Sequence, residues 1–280
     1  MQDVEQLYLE EVSALKARIK FSKTGSMKFI GHLDVMRYFQ KAIRRSGIDV
    51  AYSQGFNPHQ LISFAAPLGV GLTSDGEYMD MQLVSTFSSK ETVERLNAAM
   101  NDEIRVKSFV ELEEGSKNAM SIVAAADYCI SVKDGYEFPD NYQQLFETFL
   151  AQNEIIMKKK TKKSEKEMDI RPYIYEYAFS AQEFSEKIGG TADDSAAQKY
   201  ENGKKIYFQI TTGSVVNIKP ELILEAFCLY ADIPFEKFAY QIHRMEVYAD
   251  LNADTKVSEE DYGKNRNLVT LESFGHEIEG

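Results

Sequence analysis

Apolar positions change period several times along the first 115 residues, and each change marks a new element. Over residues 17–23, "ARIKFSK", Ile19 and Phe21 alternate with basic residues, which predicts a strand. Turn chemistry in "KTGS" follows. From Gly31 to Gly47 the period becomes helical: Leu33, Met36, Phe39 and Ile43 share one face, with Val35 and Ala42 beside them. Arg37, Lys41, Arg44 and Arg45 fall on the other side. Asp34 in the first turn and Arg44 and Arg45 in the last suit the helix dipole. "DVAYS" (49–53) reads as a short strand, and strict alternation makes "EYMDMQLV" (77–84) another. "SKETVERLNAAMN" is a helix with Ser88 or Ser89 as its cap, and "IRVKSFVEL" is a closing strand. The order β-α-β-β-α-β is the split βαβ, or ferredoxin-like, pattern.

The second half repeats that order. "ADYCISV" is a strand, "NYQQLFETFLA" a helix and "EIIMKKK" a strand. An irregular region through "MDIRPYIYEYAF" leads to the strand "KKIYFQITT". "KPELILEAFCLYA" is a helix with Pro220 in its first turn, and "YQIHRMEVYA" a last strand. The expected fold is α+β: two ferredoxin-like (βαββαβ) units in tandem with antiparallel sheets. Expected boundaries are an acidic helix within 1–16, a first unit over 17–115, a second over 116–250 with an insertion near 161–204, and a tail over 251–280. Residues 180–204 are polar and read as an exposed part of that insertion, and the tail has little apolar periodicity.

One segment resists the pattern. "AYSQGFNPHQLISFAAPLGVG" (51–71) holds three glycines and two prolines beside Phe56, Leu61, Ile62, Phe64 and Leu68. Asn57-Pro58 excludes a continuous strand. It reads as an elaboration between two strands, packed on the sheet by its apolar residues.

Composition narrows the function classes. The 280 residues are 44% apolar and 27% charged, ordinary for a globular chain. No apolar run approaches the roughly 20 residues of a membrane helix, and the acidic N-terminus lacks the basic start of a secretory signal. A cytoplasmic protein without membrane contact is the expectation. Two cysteines, Cys129 and Cys228, sit in apolar surroundings and read as buried thiols. No CxxC pair is present, and no cofactor is expected. Net charge is −12, yet residues 16–84 carry nine lysines and arginines against five acids, +4 locally. A basic module inside an acidic chain points to an anionic partner.

Candidate chemistry is sparse. His32, Asp34 and His59 form a set that would suit a metal or acid–base work, or would serve as a helix-start carboxylate and two locally bonded histidines. No three-ligand spacing, GxxxxGK[ST] loop or GxSxG nucleophile elbow is present. The run Lys158, Lys159, Lys160, Lys162 and Lys163 reads either as a phosphate-contacting patch or as a solvated strand edge. Tyr52 and Phe56, in a glycine-containing loop beside the basic helix, are placed to stack on bases. With Gly55, Asn57 and Pro58 they join Arg37, Lys41, Arg44 and Arg45 in one candidate binding surface.

The ordered series F-x-K-x-G-x-x-x-F-I-G-H-L-D (Phe21 to Asp34), the basic helix (Arg37 to Arg45), A-Y-S-x-G-F-N-P-H (Ala51 to His59) and P-L-x-x-G…S-x-x-E-Y-x-D (Pro67 to Asp80) resembles a known family. It is the radical SAM-associated family also called domain of unknown function 2344. "DIRPYIYE", "GSVVNIKPE" and "HRMEVY" are further pieces of the likeness. The resemblance implies a partner, a radical SAM enzyme encoded nearby, and a setting among RNA-processing genes. It carries no catalytic residues over. The chain lacks CxxxCxxC, so it cannot hold the cluster of that chemistry itself. The expectation is an accessory or substrate-recognition protein that binds structured RNA and has no catalytic activity of its own. The alternatives are a protein-docking module without nucleic acid, and a small enzyme built on His32, Asp34 and His59.

Overall fold

The computed structural model describes residues 15–160, 165–214, 216–253 and 265–280. The helix expected within 1–16 lies outside them, apart from the first residues of a strand. The chain is mixed α+β, with mostly antiparallel strand pairing. Its internal contacts divide it into two compact units. One holds the residues through Leu68, then Glu77–Ser121 and Leu271–Gly280; the other holds Gly69–Gly76 and Ile122–Thr270.

The first unit contains β1 (Leu15–Lys23), α1 (His32–Ser46), β2 (Ile62–Phe64), the part of β3 (Thr73–Leu83) from Glu77 onward, α2 (Ser89–Ala98) and β4 (Ile104–Leu112). In its sheet β1 lies between β4 and β3, and β2 pairs with the outer side of β3, Ile62 opposite Met81 and Phe64 opposite Met79. The short strand expected over 49–53 is therefore displaced. Val50 and Tyr52 make only isolated bridges, to Leu83 and Gln60, and the paired strand starts at Ile62. The chain reverses around Gly55–Pro58; Ile48 and Val50 reach the core before that reversal, but the segment that pairs along β3 comes after it. The core holds Ile19 and Phe21 of β1, Phe39 and Ile43 of α1, Met79 and Met81 of β3, and Val106 and Phe109 of β4. Helix α1 ends at Gly47, whose φ of 73° is the left-handed conformation glycine adopts without strain. Ser88 caps α2 by accepting from the Glu91 amide. Leu33 departs from the helical pattern: it belongs to the apolar stripe but is 61% exposed. A single helical turn, α3 (Ala119–Ile122), follows β4.

The second unit contains β5 (Val123–Val132), α4 (Tyr142–Leu150), β6 (Ile156–Lys160), β7 (Glu165–Asp169), β8 (Ile174–Ala178), α5 (Ala181–Ile188), β9 (Lys205–Thr211), α6 (Pro220–Tyr230) and β10 (Tyr240–Asp250). Its strand order is β10-β5-β9-β8, every neighbour antiparallel. Phe208 of β9 stacks with Phe146 of α4, which also meets Phe227 of α6, while the next side chain, Tyr207, meets Phe184 of α5. Successive side chains on a strand face opposite ways, so the two contacts lie on opposite faces of the sheet.

Two expectations change here. "EIIMKKK" does not join the main sheet: β6 pairs only with β7 in a separate hairpin, and β8 takes the edge beside β9. Residues 180–204 are not simply an exposed insertion. Ser180 caps α5 by accepting from the Glu183 amide, Glu183 Oε2 accepts from Phe179 N, and Phe184 is fully buried against Ala197 and Tyr207. A helix with one buried aromatic per two turns leaves too faint an apolar signal to stand out from a polar loop.

The chain after residue 250 also has elements of its own. β11 (Leu268–Thr270) pairs with Tyr248–Asp250 of β10, in the second unit. Leu271, fully buried, and β12 (Gly275–His276), paired with Leu112 and Glu111 of β4, belong to the first.

Candidate functional site

Helix α1 presents its basic side to solvent. Arg37, Lys41, Arg44 and Arg45 are all exposed. Arg37 Nη1 lies 3.2 Å from Asp34 Oδ1, an exposed pair one helical turn apart, and Arg45 Nη2 donates to Ala99 O at 2.6 Å. The loop from Tyr52 to Gln60 stands beside this helix. Backbone bonds Ser53 N to His59 O and Leu61 N to Ala51 O, both 2.8 Å, close its base. At its tip Gly55 has φ 110°, Asn57 and Pro58 are exposed, and the Phe56 ring has no cover at all. Gln60 is buried at the base, its amide nitrogen 3.4 Å from both Gln40 O of α1 and the Tyr52 hydroxyl. That shared amide sets the half-exposed Tyr52 ring against the helix one residue from Lys41.

The first unit also has a small surface pocket of about 10 Å³, room for one water molecule. Its walls are Phe21 and Lys23 of β1, His32 and Val35 of α1, Phe64 of β2, Ala66, Pro67 and Leu68 after it, and Glu77 of β3. The aromatic rings pack edge to face: Phe21 to Phe64 with centroids 5.9 Å apart, and His32 to Phe64 at 5.2 Å. Into this apolar cup come two charged side chains, Lys23 at 2% and Glu77 at 5% exposure. Lys23 Nζ donates to Ile30 O at 3.1 Å.

The three residues considered for acid–base or metal chemistry are not assembled as one group. His32 lines the pocket, Asp34 pairs with Arg37 on the helix surface, and His59 Nδ1 lies 2.7 Å from Ser53 Oγ in the loop. Among the described residues no cluster of three or more histidine, cysteine, aspartate or glutamate side chains is spaced to hold a metal ion. Lys158 is exposed on β6; the side chains of Lys159, Lys160, Lys162 and Lys163 fall outside the described residues. Sequence reading passed over Lys23 and Glu77, because a charged residue inside an alternating strand normally marks the solvent face.

Other buried polar groups are structural. In the first unit Arg18 meets Asp80 through Nε at 2.7 Å and Nη2 at 3.1 Å, and it also donates to Leu271 O and Lys117 O. Asp80 Oδ2 accepts the Ala119 amide as well. A bidentate pair with both carboxylate oxygens engaged is a clamp rather than a reactive centre. In the second unit His243 is 1% exposed, with Nδ1 2.9 Å from Thr73 Oγ1. Its Nε2 lies 3.2 Å from Asp75 Oδ2, in ion-pair range but off the line of a hydrogen bond. Asp127, 1% exposed, accepts from the Tyr248 hydroxyl at 2.6 Å while its Oδ1 has no hydrogen-bond partner. Burial pushes its carboxyl up to about 7, against the pull of the Tyr248 and Gln209 bonds, and Glu246 adds repulsion. Burial likewise lifts the Cys129 thiol to about 11, so it stays protonated and unreactive.

Residues 16–220 match the family described as "uncharacterized protein conserved in bacteria", domain of unknown function 2344. The chain belongs to that family. The matched span of the family contains every pocket residue, the whole of α1 and the Tyr52–Gln60 loop. It stops short of β10, so His243 and Tyr248 fall outside it. A search of curated proteins finds no match.

Proposed function

We propose that this member of the family is the substrate-recognition partner of a radical SAM enzyme, and that it holds structured RNA on the exposed face of α1 and the adjoining loop. The observation that carries the reading is the uncovered Phe56 ring and the half-exposed Tyr52, set beside four exposed cations on one helix. Arg37, Lys41 and Arg44 recur at helical spacing and would neutralise successive phosphates, while the two rings offer stacking platforms to unpaired bases. The radical SAM partnership rests on the family resemblance. It agrees with the cysteine count: two thiols, both buried and free, cannot supply the three ligands of that cluster, so the radical chemistry belongs to the partner. Free buried thiols also suit a reducing, cytoplasmic setting. We read both units as ferredoxin-like. In support, each places its first strand between its last and third, with the second outside the third, if β8 counts as the second strand of the second unit.

The test is titration of a structured RNA pool with the full chain at 50 and 200 mM salt, choices that span the steep part of the counterion effect. Expected are binding at low salt, at least tenfold weaker affinity at high salt, and loss of binding in the Arg44→Glu/Arg45→Glu double variant. Phe56→Ala should weaken binding about tenfold at either salt, since stacking is worth ~1–3 kcal/mol per base. Affinity that is absent at low salt or indifferent to salt overturns the RNA reading. A second reading, docking on the enzyme alone, draws on the exposed Phe29 and Leu33 of the same motif. Co-purification with the enzyme that survives the double charge reversal would favour it.

A further inference from the structure

The exposed side of α1 carries an apolar residue that phosphate contacts do not use. Leu33, Arg37, Lys41 and Arg44 recur along it at helical spacing, and Leu33 heads that stripe at 61% exposure. Arg37 has Asp34 and Arg45 has the Ala99 carbonyl, while Lys41 and Arg44 have no partner among the described residues. The fourteen residues before Leu15 are of the opposite kind: they hold Asp3, Glu5, Glu10 and Glu11, and no lysine or arginine. On a helical wheel Val4, Leu7, Tyr8 and Val12 share one side, with Glu11 among them. Asp3 and Glu10 edge that side on one flank and Glu5 on the other. An apolar stripe edged by acids is the complement of a basic stripe headed by a leucine.

We infer that residues 1–14 dock along this side of α1 as an acidic amphipathic helix, and so compete with RNA for it. The place where Leu15 enters the fold supports that register. Arg18 of β1 meets Asp80 of β3, and Lys23 shares a pocket with Glu77, so the two strands run in opposite directions. Leu15 therefore lies at the Leu83 end of the sheet. Val50, four residues after the end of α1, bridges to Leu83, so α1 finishes at that same end. Leu15 packs on the core cluster that Phe39 and Ile43 of α1 also join. As a helix the twelve residues before Ser13 span about 18 Å, most of the ~22 Å of α1, and Ser13 and Ala14 remain for the turn into β1. Glu10 and Glu11 would then fall by Arg44 and Arg45, and Asp3 by Arg37. The apolar stripe would lie on Leu33 and the aliphatic stems of Arg37 and Lys41. Each exposed pair is weak alone, but the short tether makes docking an intramolecular step at high effective concentration. The docking rests on charge, length and strand direction; its competition with RNA rests on the reading of the surface given above.

The experiment uses the full chain with a nitroxide on Gln6→Cys, since Cys129 and Cys228 are buried. Expected is broadening of the Arg37, Gln40 and Lys41 amide resonances at the lower of the two salt concentrations, relieved by the structured RNA pool. Two variants should each abolish the broadening: Asp3→Asn/Glu5→Gln/Glu10→Gln/Glu11→Gln, and Leu7→Ser/Tyr8→Ser with every acid kept. Both should bind RNA about fivefold more tightly, the gain from opening a site that is covered about four-fifths of the time. The serine pair separates docking from general repulsion of RNA by acids. Absence of broadening overturns the inference, and so does broadening seen only between labelled and unlabelled chains in a mixture, which gives the site to another copy. Salt-dependent RNA binding that is equal in the wild type and the serine pair removes the competition and leaves the surface reading standing. Broadening in a chain that binds no RNA does the reverse: it keeps the docked segment and removes the RNA reading.

Discussion

Asp127 is the residue whose setting makes the clearest physical demand. Its carboxyl titrates near 7 in the folded chain against an ordinary 3.8, because burial disfavours its charge. Between about pH 4 and 7 the folded state therefore holds a proton that the unfolded state has released. Stability from this group is fully present below the ordinary value and drains away as pH rises toward 7, by at most ~1.4 kcal/mol per unit. Asp127→Asn keeps the shape and removes the titration. Urea midpoints of the two proteins at pH 4.5, 6 and 7.5 should diverge, with the variant gaining on the wild type as pH rises; parallel curves would refute the assignment. At this scale sequence was a poor guide. Asp127 in "ADYCISV" looks like any polar position of an alternating strand, and Lys23 and Glu77 look like solvent-facing charges. Whether such a residue meets water depends on what covers the strand, which the strand's own sequence does not state.

At the scale of elements, local pattern carried far. The alternation of Ile19 with Phe21, the helical stripe through Phe39 and Ile43 and the left-handed Gly47 each express short-range sterics and burial, and each element formed where it was read. The misreadings came where two candidate strands competed for one edge. Residues 49–53 lost to Ile62–Phe64, and "EIIMKKK" lost to β8, because edge pairing is decided by which segment the turns deliver to the sheet. Gly76 shows a constraint of another kind. It sits in β3 where β10 bulges between Arg244 and Glu246, and a Cβ there would come within 2.5 Å of Glu246 Cα and 2.6 Å of Met245 O. Backbone cannot yield as a side-chain tip can. Gly76→Ala should lower thermal stability by several degrees, whereas Gly69→Ala, which meets only a Leu72 methyl at 3.6 Å, should stay within about half a kcal/mol of wild type. Equal midpoints for the two variants would count against the close approach.

Over the whole molecule, the last ten residues matter more than their composition suggests. Leu271 is fully buried in the first unit, its carbonyl accepts from Arg18 Nη1, and β12 extends the edge beyond β4. Truncation after Thr270 should destabilise that unit by about 2–5 kcal/mol, the cost of losing a buried leucine, before the Arg18 Nη1 donor that loses its Leu271 acceptor is counted. Hydrogen exchange would register it as faster exchange of β1 and β4 amides; unchanged protection would show that the C-terminal segment is dispensable. Such a return from residue 271 to residue 18 leaves no trace in local periodicity. The same division runs through the candidate site. Sequence alone determined the α+β class, most elements, the basic side of α1 and the family motifs, because these follow from side-chain periodicity, turn chemistry and charge, which act over a few residues. Only the tertiary structure decided that Phe21, Lys23, His32, Phe64 and Glu77 line one pocket while Asp34 and His59 stand apart, and that Asp80 is a clamp. Those outcomes depend on contacts between residues far apart in the chain, which form only when the strands pair and exclude water.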